Sequence, residues 1–410
     1  MSRHALIILC LVVAVDAASF GLLLPVLPFL VGDLTGSFNA ISITQVTAVY
    51  AGSQLIGAPL IGRLSDRVGR KPLMMFSVGV SALALLGSAL APSLMILMVF
   101  QGIKGISSGV FALAQAIVAD TVKEGDQRTI SFGALGASLG LGFVTGPAVG
   151  GILGSLNPRA PFFASALISL INFIQIMLVL QESKQAIQGS QAEREPLQLW
   201  SAHYGTLRRL LTVYFLFYLG FSAFTGIFVV DVRDRFNWGP AAAGLVLCYV
   251  GVIAAVVQGA LLPKLLKRFS AGRLACAGLL TVGIAILGVS GIDNGSQLYI
   301  TQLFFAGGVG LATPGLRSLL SLNVGESQQG LLGGLTQSCI SLTELLGPLM
   351  VGRLYTYTGY ATSYQIQAAI VLIAAGILIS SGKKVIDRDT SVRSNLKIAS
   401  SSAEPETISQ

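Results

Sequence analysis

Twelve long apolar runs decide what this chain of 410 residues can become; they lie at roughly 5–31, 41–61, 72–91, 93–119, 129–153, 161–180, 209–230, 240–263, 274–292, 297–323, 329–352 and 362–382. A helix rises about 1.5 Å per residue, so each run can cross a hydrocarbon core of about 30 Å. Charge is scarce: 11% of residues are charged and 53% hydrophobic, whereas a soluble domain carries about 25% charge. The expected fold is an all-α membrane protein with twelve transmembrane helices. The alternating strands of a membrane barrel are not seen. Near the N-terminus, Arg3 and Ala17-Ala18-Ser19 imitate a signal peptide, but apolar residues resume from Phe20 to Val31. That span is too long for a signal core, so it is expected to remain as the first helix.

The 26 Lys and Arg against 18 Asp and Glu leave a formal charge of +8. A basic chain can bind nucleic acid, but here the cations stand in short clusters between apolar runs. The positive-inside rule accounts for that pattern and a nucleic-acid face does not. With loops counted alternately from the N-terminus, 20 of the 26 fall on one side, and only Arg159, Arg233, Arg235 and Arg353 on the other. Lys104 and Arg317 lie inside runs. Both termini are therefore expected in the cytoplasm, with the lipid bilayer of the cytoplasmic (inner) membrane around a multi-pass protein. Residues 1–180 are expected to form a six-helix half, the polar stretch 181–208 a cytoplasmic linker, 209–382 a second six-helix half, and 383–410 a disordered cytoplasmic tail. Cys10, Cys248, Cys276 and Cys339 are scattered in apolar runs, and His4 and His203 lie outside them, so neither a metal site nor an enzyme's nucleophile is expected.

A charge inside a bilayer is costly and is a functional candidate by default. Four stand out: Asp16 in the first helix, Lys104 in the fourth, Arg317 in the tenth and Glu344 in the eleventh. Asp16 and Glu344 are candidates to exchange a proton or a cationic substrate. Lys104 and Arg317 either neutralise these acids or meet an anionic group on the substrate. Gln54 and Gln258 occupy similar places in the second and eighth helices, where an amide bonds a polar substrate, or another helix, without the cost of charge.

Two motifs bear on mechanics. Gly62-Arg63-Leu64-Ser65-Asp66-Arg67-Val68-Gly69-Arg70-Lys71-Pro72 sets a knot of charge between the second and third runs. Gly62 and Gly69 are expected to make tight turns, Asp66 to accept bonds from a neighbouring helix start, and Arg70 to pair with an acid such as Asp120, latching the cytoplasmic side. Pro263 to Phe269 follows the eighth run as an eroded copy. In the fifth helix, Gly142, Gly146, Pro147, Gly150 and Gly151 predict a groove for close helix approach, with a bend at the proline.

The loop Gly62 to Pro72 resembles the signature of major facilitator transporters, and Gly142 to Gly151 resembles the helix-five motif of drug:proton antiporters. Asp16 to Pro28, Tyr50 to Pro72 and Ala119 to Ser183 are similar to the tetracycline efflux pumps, as are Pro314 and Gly330 to Pro348 in the second half. The resemblance implies a major facilitator fold, a central cavity between the halves and alternating access. It implies no cofactor, the proton gradient being the energy source, and a monomer acting on a small-molecule substrate. It departs from those pumps at Gln101, where an Arg is usual with Lys104 one turn on, in lacking acids in the third and ninth helices, and in having Arg317 and Glu344 where the pumps are uncharged. The expected activity is export of a small amphipathic compound by proton antiport. The alternative is a carrier for one endogenous metabolite, as an uptake symporter or a dedicated exporter.

Overall fold

Every one of the twelve apolar runs is helical in the computed structural model, which describes residues 3–122, 126–180, 205–324, 328–382 and Ile386. Among the described residues there is no strand. The helices are α1 (Arg3–Gly21), α2 (Leu27–Thr35), α3 (Ala40–Val68), α4 (Arg70–Leu90), α5 (Leu94–Ile106), α6 (Val110–Thr121), α7 (Asp126–Leu156), α8 (Ala160–Val179), α9 (Gly205–Phe236), α10 (Pro240–Val256), α11 (Leu262–Leu265), α12 (Ala271–Val289), α13 (Leu298–Ser321) and α14 (Gln329–Ser380).

Nine helices among the described residues are long and apolar enough to cross a membrane. The last, Leu332–Ser380, contains two of the sequence runs. They part at Gly359, whose φ of 81° belongs to the left-handed region that glycine enters freely. Ala5–Gly21 is a shorter apolar helix, and the 29 residues of α3 are diluted by Gln, Ser, Asp and Arg. The segment 181–204, most of the expected linker, and the tail apart from Ile386 lie outside the described residues. The last four residues of that expected linker already belong to α9.

Three of the runs are broken, two of them by proline chemistry. The first bends between Gly21 and Leu27, where Pro25 and Pro28 withhold backbone donors. The fourth is interrupted at Ser107–Gly109 without a proline; there the Ser107 hydroxyl donates to the Lys104 carbonyl at 2.9 Å and closes α5. The eighth widens into a π turn at Val257–Leu261 just before Pro263, whose ring crowds the carbonyl four residues back.

Residues 3, 180, 205 and 380 share one end of the bundle, here called the near end, because successive helices run back and forth. At the opposite, distal end the first and second groups of helices are pressed together. Gly151 and Gly154 of α7 face Pro240 of α10, Gly244 faces Pro147, and Gly352 of α14 faces Thr44 of α3. One buried apolar core joins Leu30, Ile43, Leu85 and Phe162 to Phe224, Val246 and Tyr364 across that end. At the near end the first group has its own core, built on Leu9, Val13, Met74, Leu113 and Ile176. There Gly133, Gly136, Gly140, Gly259, Gly333 and Gly334 have open space where a side chain would point. Among the described residues, the two groups of helices pack together at the distal end and share no buried core at the near end.

Candidate functional site

Midway along the bundle, five elements converge. Lys104 is buried near the end of α5, and its Nζ stands 5.3 Å from the Phe20 ring centroid of α1 and 5.5 Å from that of Tyr50 on α3. The two rings lie 5.5 Å apart, and Phe143 of α7 meets Phe20 edge-on at 5.8 Å. Asp16, one turn before Phe20, shares the electrostatic field of Lys104. Among the described residues, Lys104 has no carboxylate within ion-pair distance and no hydrogen-bond acceptor for Nζ. The Tyr50 phenol lies in the field of both Asp16 and Glu344, and Leu345, next to Glu344, packs toward Gly52. Acids from α1 and α14 thus approach one tyrosine from opposite groups of helices.

The break in the fourth run supplies a polar partner. Ser108 receives a hydrogen bond from Gln54 Nε2 at 3.0 Å and lies 3.4 Å from the Tyr50 hydroxyl. Asp16, Gln54, Lys104 and Glu344 therefore gather around Tyr50 in one polar cluster. The other expected residues do not join them. Gln101 is buried and turned to Ser88 of α4, to which its amide donates at 3.5 Å. Gln258 sits exposed in the π turn, so its likeness to Gln54 ends with position along the helix. Arg317 lies beside the phenols of Tyr214 and Tyr218, with no carboxylate in ion-pair distance among the described residues. Of the two bases expected to neutralise an acid or meet a substrate anion, neither forms an ion pair among the described residues, and only Lys104 shares the field of one of the expected acids, Asp16.

The charged loop forms the expected cluster. Arg70 binds Asp120 through Nε at 2.9 Å and Asp66 through NH1 at 2.7 Å, and donates to Ser65 Oγ. Gly69 has φ 111°, ending α3 and opening α4 in a single residue. Gly62, expected to turn, is instead an ordinary helical residue of α3, and Arg67 closes that helix in its last turn. These described partners all belong to the first group of helices, so in this state the cluster braces α3, α4 and α6 against one another. The fifth-helix motif has two faces. Gly142 and Gly146 admit the backbone of α1 at Ala14 and Ala18 and Gly150 that of Leu22 just past its end, while Pro147 and Gly151 meet Gly244 and Pro240 of α10.

One buried charge was not foreseen. Asp231 of α9 is fully buried and accepts from Arg235 NH1 at 3.3 Å and from the Tyr355 hydroxyl at 3.3 Å. Arg235 also donates to the carbonyls of Val289 and Ile292 and lies 4.0 Å from the Tyr360 ring centroid. The cluster ties α9, α12 and both parts of α14 at the distal end. The sequence signal was the acid and base four residues apart, Asp231 and Arg235, at the edge of an apolar run.

An all-helical bundle of membrane-length helices with Asp16, Gln54, Lys104 and Glu344 gathered between two groups of helices has the architecture of a membrane transporter. The chain matches the model of the Major Facilitator Superfamily over residues 9–342 and 210–402, and it belongs to that family of transporters; it is not an enzyme. It is 31% identical over 388 residues to the tetracycline resistance protein, class C, of Escherichia coli, covering 91% of this chain and 96% of that protein. It is 27% identical over 363 residues to the quinolone resistance protein NorA of Staphylococcus aureus, covering 88% and 91%. The fold is shared with a bacterial homolog of the human lysosomal transporter Spinster, solved in an inward-facing and unoccupied conformation, at TM-score 0.79 and 14% identity over 95% and 99% of the two chains.

Proposed function

We propose that the protein is a proton-coupled antiporter that exports a small, amphipathic, antibiotic-like compound across the cytoplasmic membrane by alternating access. The observation that carries this reading is the Asp16–Lys104 couple. An acid and a base from two helices share one field at mid-depth without closing into an ion pair, so a proton or a substrate charge changes the balance between them at low cost. Glu344 adds a second carboxylate from the other group of helices, and Gln54 with Ser108 offers neutral hydrogen bonds. The excess of basic loops at the near end supports a cytoplasmic position for that end. The state described above is then inward-facing, with the Arg70 cluster at the cytoplasmic mouth. The resistance relatives supply the drug class, and the energy comes from the proton gradient with no cofactor.

Inverted membrane vesicles test this directly. Energised vesicles are expected to accumulate a tetracycline or a fluoroquinolone, and a protonophore to abolish the accumulation. Asp16→Asn is expected to reduce gradient-driven accumulation at least about tenfold while leaving the amount of inserted protein unchanged, since one proton-carrying group is removed. Accumulation that survives the protonophore, or that is normal in Asp16→Asn, overturns the reading.

A further inference from the structure

The most unusual group in this cluster is the Lys104 ammonium. It carries three donors, yet among the described residues it makes no hydrogen bond and no close ion pair. What it has instead is two aromatic faces, Phe20 and Tyr50, at 5.3 and 5.5 Å, and the more distant Asp16 carboxylate. Removing an ammonium from water is expensive unless it is paired and hydrogen-bonded. Ring faces return part of that cost, because the quadrupole of an aromatic ring attracts any cation placed over it. Such a site is blind to what carries the charge. A cation that sheds little hydration and spreads its charge over an apolar body suits it better than a strongly hydrated ammonium on a tether.

The surroundings fit an exchange of that kind. Phe20 and Tyr50 are half-buried and Phe143 is exposed, so the rings keep free surface. Tyr50 is held in place by Ser108 at 3.4 Å, beside the Gln54 amide. Phe20 and Phe143 brace each other edge-on across α1 and α7, the pair of helices locked by the glycines of the fifth-helix motif. Glu344, in the field of Tyr50, has no cationic partner among the described residues, so a second carboxyl group stands near the rings besides Asp16.

We propose that the Lys104 ammonium is a tethered occupant of a cation cage formed by Phe20 and Tyr50, and that a bulky, weakly hydrated organic cation competes with it for those rings. The proposal rests on the export reading only for the side from which the cation arrives. It makes Lys104 an internal competitor: with the side chain in place the cage is filled and the rings are held, and an arriving cation displaces it toward Asp16.

Equilibrium binding to the purified full-length protein in detergent tests this, with radiolabelled tetraphenylphosphonium as the cation and tetraphenylborate, its anionic isostere, as the control. Lys104→Gln empties the cage and is expected to bind tetraphenylphosphonium at least about tenfold more tightly than the wild type. Lys104→Arg keeps a cation there and is expected to stay near the wild type. Phe20→Ala in the Lys104→Gln background is expected to remove the gain, and tetraphenylborate to gain nothing in any variant. Should Lys104→Gln fail to give monodisperse protein, Lys104→Met empties the cage in the same way. Equal or weaker tetraphenylphosphonium binding without the lysine charge overturns the proposal. So does a wild type that prefers tetraphenylborate and loses it in Lys104→Gln, because Lys104 would then anchor an anion. No proton gradient is present in this assay, so its failure leaves the antiport reading standing; protonophore-resistant transport sinks antiport and leaves the cage.

Discussion

Asp231 shows how much a single residue depends on its neighbours. The apolar run it follows ends at 230, and on hydropathy alone the next residue belongs to a loop. In the folded chain it is fully buried, because α12 and both parts of α14 close over the end of α9. Removing one partner of a buried pair leaves the other charge uncompensated, at a cost of about 3–5 kcal/mol. Arg235→Ala is therefore expected to lower the thermal unfolding temperature of the detergent-solubilised protein well beyond Arg353→Ala, whose side chain is exposed. Adding Asp231→Asn to Arg235→Ala is expected to recover part of the loss, the non-additivity that marks a direct interaction.

Among the helices, α7 does two jobs with two stripes. Gly142, Gly146 and Gly150 recur every four residues and hold α1, the bearer of Asp16 and Phe20; Pro147, Gly151 and Gly154 lie on the other stripe and meet α10. A side chain at Gly146 strains packing within one group of helices, an overpacking cost of about 1–3 kcal/mol. Gly146→Val is accordingly expected to destabilise the protein in thermal unfolding. Gly244→Val instead wedges the contact between groups, where the new side chain meets the Pro147 carbonyl. It is expected to favour opening of the distal end. In a background lacking the four native cysteines, a cysteine at position 136 should then react more slowly with a maleimide, as the near end closes. Unchanged labelling would contradict that coupling.

For the whole molecule, the closed distal end sets the conformational balance. Besides its apolar core it contains Arg233 of α9, whose guanidinium lies 3.9 Å from the ring centroid of Phe38, just before α3. That contact joins the two groups of helices and has to part when the distal end opens. An exposed cation–π pair is worth about 0.5–1 kcal/mol. Phe38→Ala is expected to raise the distal-open population about two- to fivefold, read as a new long distance between spin labels flanking the distal mouth. Of this architecture, the sequence alone made legible the twelve helical runs, the Arg70–Asp120 pairing and the small-residue groove. Gly62 was misassigned because a glycine in an apolar helix and a glycine in a turn look alike until the backbone is seen. Gln101 was singled out by the resemblance, as the position where an Arg is usual, but the fold turns its amide to Ser88.

What the sequence determined by itself is whatever is summed over neighbours in the chain: membrane-length hydropathy, the uneven distribution of basic loops, and the glycine at position 69 that joins two helices. These depend on consecutive residues, so a linear reading contains them. Only the tertiary structure decided that Phe20, Tyr50 and Lys104 form one cage, that Gln54 reaches Ser108 across 54 positions, and that Asp231 is sealed from water. Those outcomes depend on how helices rotate and cross, and that is set by packing contacts between segments far apart in the chain.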